Sequence, residues 1–226
     1  HRLAYRNYGT HESLVTNQSV EATADMAGIR WYEIRDPNGT PAIYQQGTYA
    51  PGESDGIHRW MGSIAMDASG NMGLGYSVSA DTVFPAVRYT GRLAGDPLGT
   101  MPQGEATIVN GGGSQTSTLS RWGDYTSMNV DPVDDCTFWY VNEYLPSTSP
   151  VGWRLRIGSF KFPSCIVGPS GTLQGQVTVC GSGLPLAGAT IAVDLYSTTT
   201  DAGGRSRLPS GGRRSMRAAS IACSVA

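Results

Sequence analysis

Two Arg-Trp pairs stand 62 residues apart, Arg59-Trp60 and Arg121-Trp122 (121 − 59 = 62). Two guanidiniums brought to one place can clamp a carboxylate through paired N–H donors. Asp124 and Tyr125 follow the second pair and add an acid and a hydroxyl. Arg59, Trp60, Arg121, Trp122, Asp124 and Tyr125 are therefore the candidate ligand-binding set. The competing reading pairs each arginine with a nearby aspartate and buries each tryptophan between repeats. Residues that recur in a repeat are usually structural, because every copy needs them.

Other constellations are weaker. His11 and Glu12 resemble an acid/base pair, but neighbours on a strand point to opposite faces. The group Asp131, Asp134, Asp135, Asn142 and Glu143 offers the oxygen ligands that calcium takes, without EF-hand spacing. Calcium aside, no cofactor is expected. GxSxG, HExxH, P-loop and kinase signatures are absent, so no catalytic residue is assigned. Asn17-Gln18-Ser19 and Asn38-Gly39-Thr40 match the glycosylation sequon and are read as incidental.

The four cysteines are Cys136, Cys165, Cys180 and Cys223, with no CxxC and no histidine-rich setting, so no zinc site is expected. Cys136 and Cys165 are the disulfide candidate, and two buried thiols are the alternative. A bridge there would close a loop of roughly 28 residues and contribute ~3 kcal/mol in an oxidising compartment.

Composition narrows the class. Of 226 residues only 15% are charged, and the net charge is −2, which argues against a nucleic-acid partner. Thirty glycines and 13 prolines imply many tight turns and short strands. No apolar run is long enough for a transmembrane segment. Abundant Thr, Ser and Gly with a single lysine, Lys161, is a composition associated with secreted or cell-surface bacterial β-proteins.

The elements that must position these residues are strands. "NMGLGYSVSA" alternates Met72, Leu74, Tyr76 and Val78 against Asn71, Gly73, Gly75 and Ser77, the pattern of a half-buried strand. "WMGSIAM" sets Trp60, Ile64 and Met66 on one side. "AVRYTGRL" and "EATIVNG" complete a four-stranded unit over residues 59–115. A second copy reads "YTSMNV", "CTFWYVNEY" and "WRLRIGSFKF", with a β-bulge expected at Gly158-Ser159 to bring Phe160 and Phe162 into phase. A third, upstream, reads "RLAYRNYG", "HESLVTNQSV", "GIRWYEIRD" and "AIYQQGTYAPG". Repeated four-stranded meanders of about 40–60 residues indicate a β-propeller. Residues 1–165 are thus expected to form the last three or so blades of a ring whose upstream blades belong to the same parent chain. A sandwich of two large sheets is the alternative.

The turns "MDASGN" (66–71) and "VDPVDDCTFWY" (130–140) resemble the Asp-box of sialidase-type, BNR-repeat propellers. Asp131, Asp135, Thr137 and Trp139 in the second stretch, and Asp67 and Gly70 in the first, carry the likeness. Here the turns fall between first and second strands, not third and fourth. The resemblance implies architecture more than chemistry. The sialidase acid, its Tyr–Glu nucleophile pair and its arginine triad cannot all be placed on these blades.

From Gly171 the chain resembles the carboxypeptidase regulatory-like module, a small transthyretin- or Ig-like β-sandwich without peptidase machinery. Leu173-x-Gly175-x-Val177, "PLAGATI" (185–191) and "TTTDAGGR" (198–205) carry that likeness. It implies one strand with Leu173, Val177 and Val179 inward, and a second with Ala189, Ile191, Val193 and Leu195 inward. After about residue 205 the likeness ends in "SRLPSGGRRSMRAASIACSVA", where Arg205, Arg207, Arg213, Arg214 and Arg217 crowd together. A frameshift or truncation, or else a genuine basic tail, would account for it.

The expected architecture is therefore all-β. A partial propeller occupies 1–165, a linker 166–170, and an incomplete Ig-like module 171–226. The expected function is a non-catalytic extracellular binding or scaffold region of a larger secreted or surface protein, with a glycan or protein ligand. Part of a sialidase-like glycoside hydrolase, or an accessory domain of a secreted hydrolase, is the alternative. An open arc is further expected to expose an apolar face at its upstream end and to self-associate.

Overall fold

A computed structural model describes residues 3–165, 172–193 and 196–209. The chain divides into two compact units, His1–Ile166 and Val167–Ala226. The described structure is all-β, and its one helix is the single turn α1 (Gly52–Asp55).

The first unit holds three antiparallel sheets made from consecutive strands. Sheet 1 has the order β1 (Ala4–Asn7), β2 (Glu12–Thr23), β3 (Met26–Arg35), β4 (Ala42–Tyr49). Sheet 2 repeats it with β5 (His58–Met66), β6 (Met72–Ala80), β7 (Val83–Arg92) and β8 (Ala106–Val109). Sheet 3 has three strands, β9 (Ser127–Val130), β10 (Phe138–Tyr144) and β11 (Arg154–Phe160). Every pairing joins neighbours in sequence, so the unit is a chain of meanders.

The sheets stack face to face. One core joins sheets 1 and 2 through Val15, Ile29 and Trp31 against Ile64, Met72, Leu74 and Tyr76. A second joins sheets 2 and 3 through Ala65 and Val87 against Met128, Phe138 and Tyr140. Sheet 2 is thus covered on both sides. Its strand β6 is buried from Met72 to Val78, not half-buried as the alternation suggests. The glycine side of β6 is where the aromatic rings of sheet 3 settle. A Cβ on Gly75 would lie 2.5 Å from the Tyr140 ring, and one on Gly73 2.8 Å from Phe138 and Phe160. The residues that look like a solvent face are a socket.

Two register details differ from expectation. Strand β11 pairs with β10 without interruption from Arg154 to Phe160, so there is no bulge at Gly158-Ser159. None is needed, because the two phases serve different faces. Phe160 stacks on Phe138 and Tyr89 toward sheet 2, while Leu155 and Ile157 turn outward and remain 62% and 63% exposed. The irregularity falls instead in β5, between Trp60 and Ser63. It moves Trp60 onto the Ser77 face, toward sheet 3, while Ile64 and Met66 point to sheet 1.

The turns between first and second strands gather at one rim. In the turn after β5, the buried Asp67 accepts the backbone N–H groups of Ser69 and Asn71 and the Asn71 amide. In the turn after β9, Asp134 does the same for Cys136 and Thr137. The two turns touch where the Ala68 N–H donates to the Asp135 carbonyl at 2.8 Å. Arg6 of β1 reaches both, donating to the Met66 carbonyl and pairing with Asp135. Cys136 and Cys165 are joined by a disulfide, Cα–Cα 5.7 Å, which pins the chain after β11 to this rim.

The outer face of sheet 1 mixes polar and apolar side chains: Tyr5, Leu14, Ile34 and Ile43 are in register across it, and Tyr5, Ile43 and Tyr44 are exposed. Arg30 donates to Thr48 and Gln46 and lies over Tyr32, and Arg35 covers Tyr44. The outer face of sheet 3 is apolar as well, with Trp139, Leu155 and Ile157 exposed.

In the second unit β12 (Thr172–Gln176) pairs with β15 (Arg205–Pro209), and β13 (Thr190–Val193) with β14 (Tyr196–Thr199). The Asp201 carboxylate ties the intervening turn by accepting the N–H groups of Gly203 and Arg205. Val179 is 41% exposed, so it does not join an inward face. Residues just past 205, where the likeness to the module ends, still form a strand. The expected linker 166–170, Leu195 and the basic stretch from 210 lie outside the described residues.

Candidate functional site

The rim opposite the aspartate turns carries two clefts. The first, about 780 Å³, lies where His58, Trp60 and Asp81 face Arg121 and Trp122. The second, about 520 Å³, lies against the outer face of sheet 3, between Arg121, Asp124, Tyr125, Glu143, Trp153 and Leu155.

Arg59 does not line either cleft, and the two arginines are not brought together. It sits on β5 and is 1% exposed. Its guanidinium donates to both Asp55 oxygens at 2.7 Å, to both Glu105 oxygens at 3.1 Å, and to the Ile57 carbonyl at 2.6 Å. Glu105 also accepts from Tyr76 and Arg88. Burial alone would raise the Glu105 carboxyl, but hydrogen bonds from Arg59, Tyr76 and Arg88 hold it below the usual carboxylate range. Arg59 is a structural cation with no free donor edge to offer a ligand.

Arg121 and Trp122 precede β9 and stand in a loop, not on the strand. The reason is spacing. The Arg-Trp pairs are 62 apart, but the turn aspartates Asp67 and Asp131 are 64 apart (131 − 67 = 64), so the repeat slips by two residues between them. Trp122 is buried against Trp60, ring centroids 5.5 Å apart, and donates its indole N–H to Ser77. Trp60 donates to Ser79. Both tryptophans therefore fill the seam between sheets 2 and 3 while edging the first cleft. Arg121 is exposed and pairs with Asp124, a bond that raises its own ionisation range. Tyr125 is 89% exposed.

The remaining expectations resolve individually. His11 stacks on Tyr8, while Glu12 accepts from Tyr5 and Asn38, so they share no target. The acidic group is occupied within its turn: Asp131 accepts from Val133 and the Trp139 indole, Asp134 from Thr137 and Lys161, and Asp135 from Arg6. Among the described residues no group of His, Cys, Asp or Glu side chains could hold a metal ion. Asn17 is buried, so the first sequon is not open to a glycan.

Two residues of the second cleft escape a reading by motif. Glu143 of β10 and Leu155 of β11 are cross-strand partners, with Trp153 one step beyond the strand end. Only the pairing register places a carboxylate beside these apolar side chains. Burial raises the Glu143 carboxyl and the Asp124 charge adds to it, against a hydrogen bond from the Gly123 N–H.

Comparison with protein-family models, curated proteins and solved structures finds no match.

Proposed function

We propose that this chain is a binding region of a larger protein that acts outside the cell, a propeller-type stack of sheets followed by an Ig-like module, and that it takes a glycan or protein ligand without breaking bonds. The observation that carries this reading is the fate of Arg59. A sialidase-like clamp needs free, convergent guanidiniums, and this one is spent on Asp55 and Glu105. What remains open includes a cleft walled by Tyr125, Trp153 and Leu155, with Asp124, Asn142 and Glu143 among its polar groups. Exposed aromatic and apolar side chains with a few polar anchors are the composition of a recognition site. The Cys136–Cys165 disulfide supports an oxidising, extracellular setting. Sheet 3 has three strands where its neighbours have four, which supports further blades in the parent protein.

The test is a pair of assays on the purified chain: hydrolysis of a fluorogenic sialoside, and binding to arrayed glycans and surface-protein peptides. The reading expects no turnover above buffer and saturable binding. Turnover that disappears in an Arg121→Ala variant would replace it with the hydrolase reading.

A further inference from the structure

The first cleft lies at the seam of sheets 2 and 3, and both of its walls belong to this chain. Sheets added at either end of the stack would not fill it. One wall is set by strand register. His58 and Ser79 are cross-strand partners on β5 and β6, and the two-residue hairpin after Ala80 sets Asp81 and Thr82 beside them. The other wall is the segment 114–122. The Ser149 N–H donates to the Ser114 carbonyl at 3.1 Å, and the Thr116 N–H to the Ser149 carbonyl at 3.2 Å. Docking this close requires glycine at 113, where a Cβ would lie 1.9 Å from the Thr148 nitrogen. Gln115 is thus anchored on both sides, as a preorganised site requires.

The hydrogen-bonding groups of the cleft are mostly neutral and unused. His58 Nδ1 accepts from the Ala27 N–H at 3.2 Å, so the neutral ring carries its proton on Nε2 as a donor. Ser79 accepts from the Trp60 indole and keeps its own proton to donate. The side chains of Asp81, Thr82, Gln115 and Ser120 have no hydrogen-bond partner among the described residues. Charge disfavours the other ligand classes. Arg121 is already paired with Asp124, so an anion finds no free countercharge. Asp55 is taken up by Arg59, which leaves the single exposed carboxylate of Asp81, a poor seat for a cation. Trp60, partly exposed over the buried Trp122, supplies a flat apolar surface. Donors and acceptors set around one aromatic surface match a sugar, which carries hydroxyls on its edge and C–H groups on its faces. The volume, about 780 Å³, is in the range of small-ligand clefts. We propose that this cleft binds a neutral glycan, one ring packing on Trp60 and its hydroxyls held by Asp81, His58 Nε2–H and Gln115. The inference rests on the reading of the chain as a binding region and narrows its ligand to uncharged carbohydrate.

The experiment is a titration of the whole chain with cello-, manno- and galacto-oligosaccharides, followed by the indole N–H resonances and assigned with Trp60→Phe and Trp153→Phe. At least one of the three should bind saturably, in the millimolar range or tighter, and shift Trp60 but not Trp153. Its affinity should be the same at low and high salt, because no charge is neutralised. Asp81→Ala and Gln115→Ala, on opposite walls, should each weaken binding about tenfold and keep the wild-type melting temperature. Tyr125→Ala, in the second cleft, should leave the affinity unchanged. The proposal is overturned if none of the three sugars binds, if both wall variants bind as well as wild type, or if sialyllactose binds more tightly than the neutral sugars. Saturable binding of a surface-protein peptide, with no sugar bound, would sink this inference and keep the binding-region reading. Sialoside turnover would sink both.

Discussion

Arg6 on β1 and Asp135 in the turn before β10 form an ion pair across 129 residues of sequence, linking the first sheet of the stack to the third. The same guanidinium donates to the Met66 carbonyl of the middle sheet at 3.1 Å. One side chain therefore ties three sheets at one rim. Both partners are about four-fifths buried, so the pair is shielded more than a surface bridge. Arg6→Ala is expected to cost about 1–2 kcal/mol, between the surface and buried cases. Urea unfolding with and without 1 M salt, as an order-of-magnitude high-salt condition, would check it: the wild-type protein should lose only part of that margin in salt.

The glycine socket of β6 gives a sharper prediction. Gly75→Ala places a methyl 2.5 Å from the Tyr140 ring, which is itself fully buried. Overpacking of this kind costs about 1–3 kcal/mol. Gly95→Ala, where a Cβ would meet nothing within 4 Å, is the matched control and should be close to neutral. Equal denaturation midpoints for the two variants would contradict the packing of sheet 3 on sheet 2.

The two arginines of the repeated Arg-Trp pair should behave oppositely. Arg59→Ala strands Glu105 and Asp55 and is expected to cost about 3 kcal/mol, as when one member of a buried pair is removed. Arg121→Ala removes an exposed side chain and should leave the unfolding midpoint unchanged. Thermal melts of the two variants side by side decide the matter.

Acid should act through Glu105. Its folded carboxyl titrates below the unfolded value because Arg59, Tyr76 and Arg88 favour the charged form over the opposing effect of burial. Its contribution is complete above the unfolded value of about 4.3 and is lost as the pH falls through the folded one. Glu105→Gln should therefore flatten the acid limb of a stability–pH curve below about pH 4.3. An unchanged limb would assign acid sensitivity elsewhere.

The Cys136–Cys165 bridge closes a sequence separation of 29. A Cys136→Ala/Cys165→Ala variant should lose about 3 kcal/mol, chiefly because the unfolded chain regains freedom. The double variant is preferable to a reductant, since no described cysteine is free and reduction would not act on this bridge alone.

Strand positions were legible because period-two alternation and turn residues mark them directly. All eleven strands of the first unit fall where alternation places them. Facing was harder. Gly73 and Gly75 read as a solvent side because a glycine looks the same beside water as beneath a buried ring. Trp60 changed face because a bulge leaves no mark in composition. The two candidate arginines came to stand in unlike settings for a related reason. Identical dipeptides suggested equivalent places, yet a two-residue slip put one in a buried ion-pair cluster and the other in an exposed loop. Glu143 was visible only as part of an acidic group, since its true neighbours, Leu155 on β11 and Trp153 just before that strand, lie ten or more residues away.

The burial of β6 on both sides has a kinetic meaning. Its amides cannot meet solvent by fraying or by the opening of a loop; a whole neighbouring sheet must lift away first. Hydrogen exchange at Leu74 and Tyr76 would then proceed only through the largest opening the unit undergoes. Those two positions are an internal gauge of global unfolding. Any partner that grips the outer sheets should slow their exchange from a distance, without touching the strand that reports it.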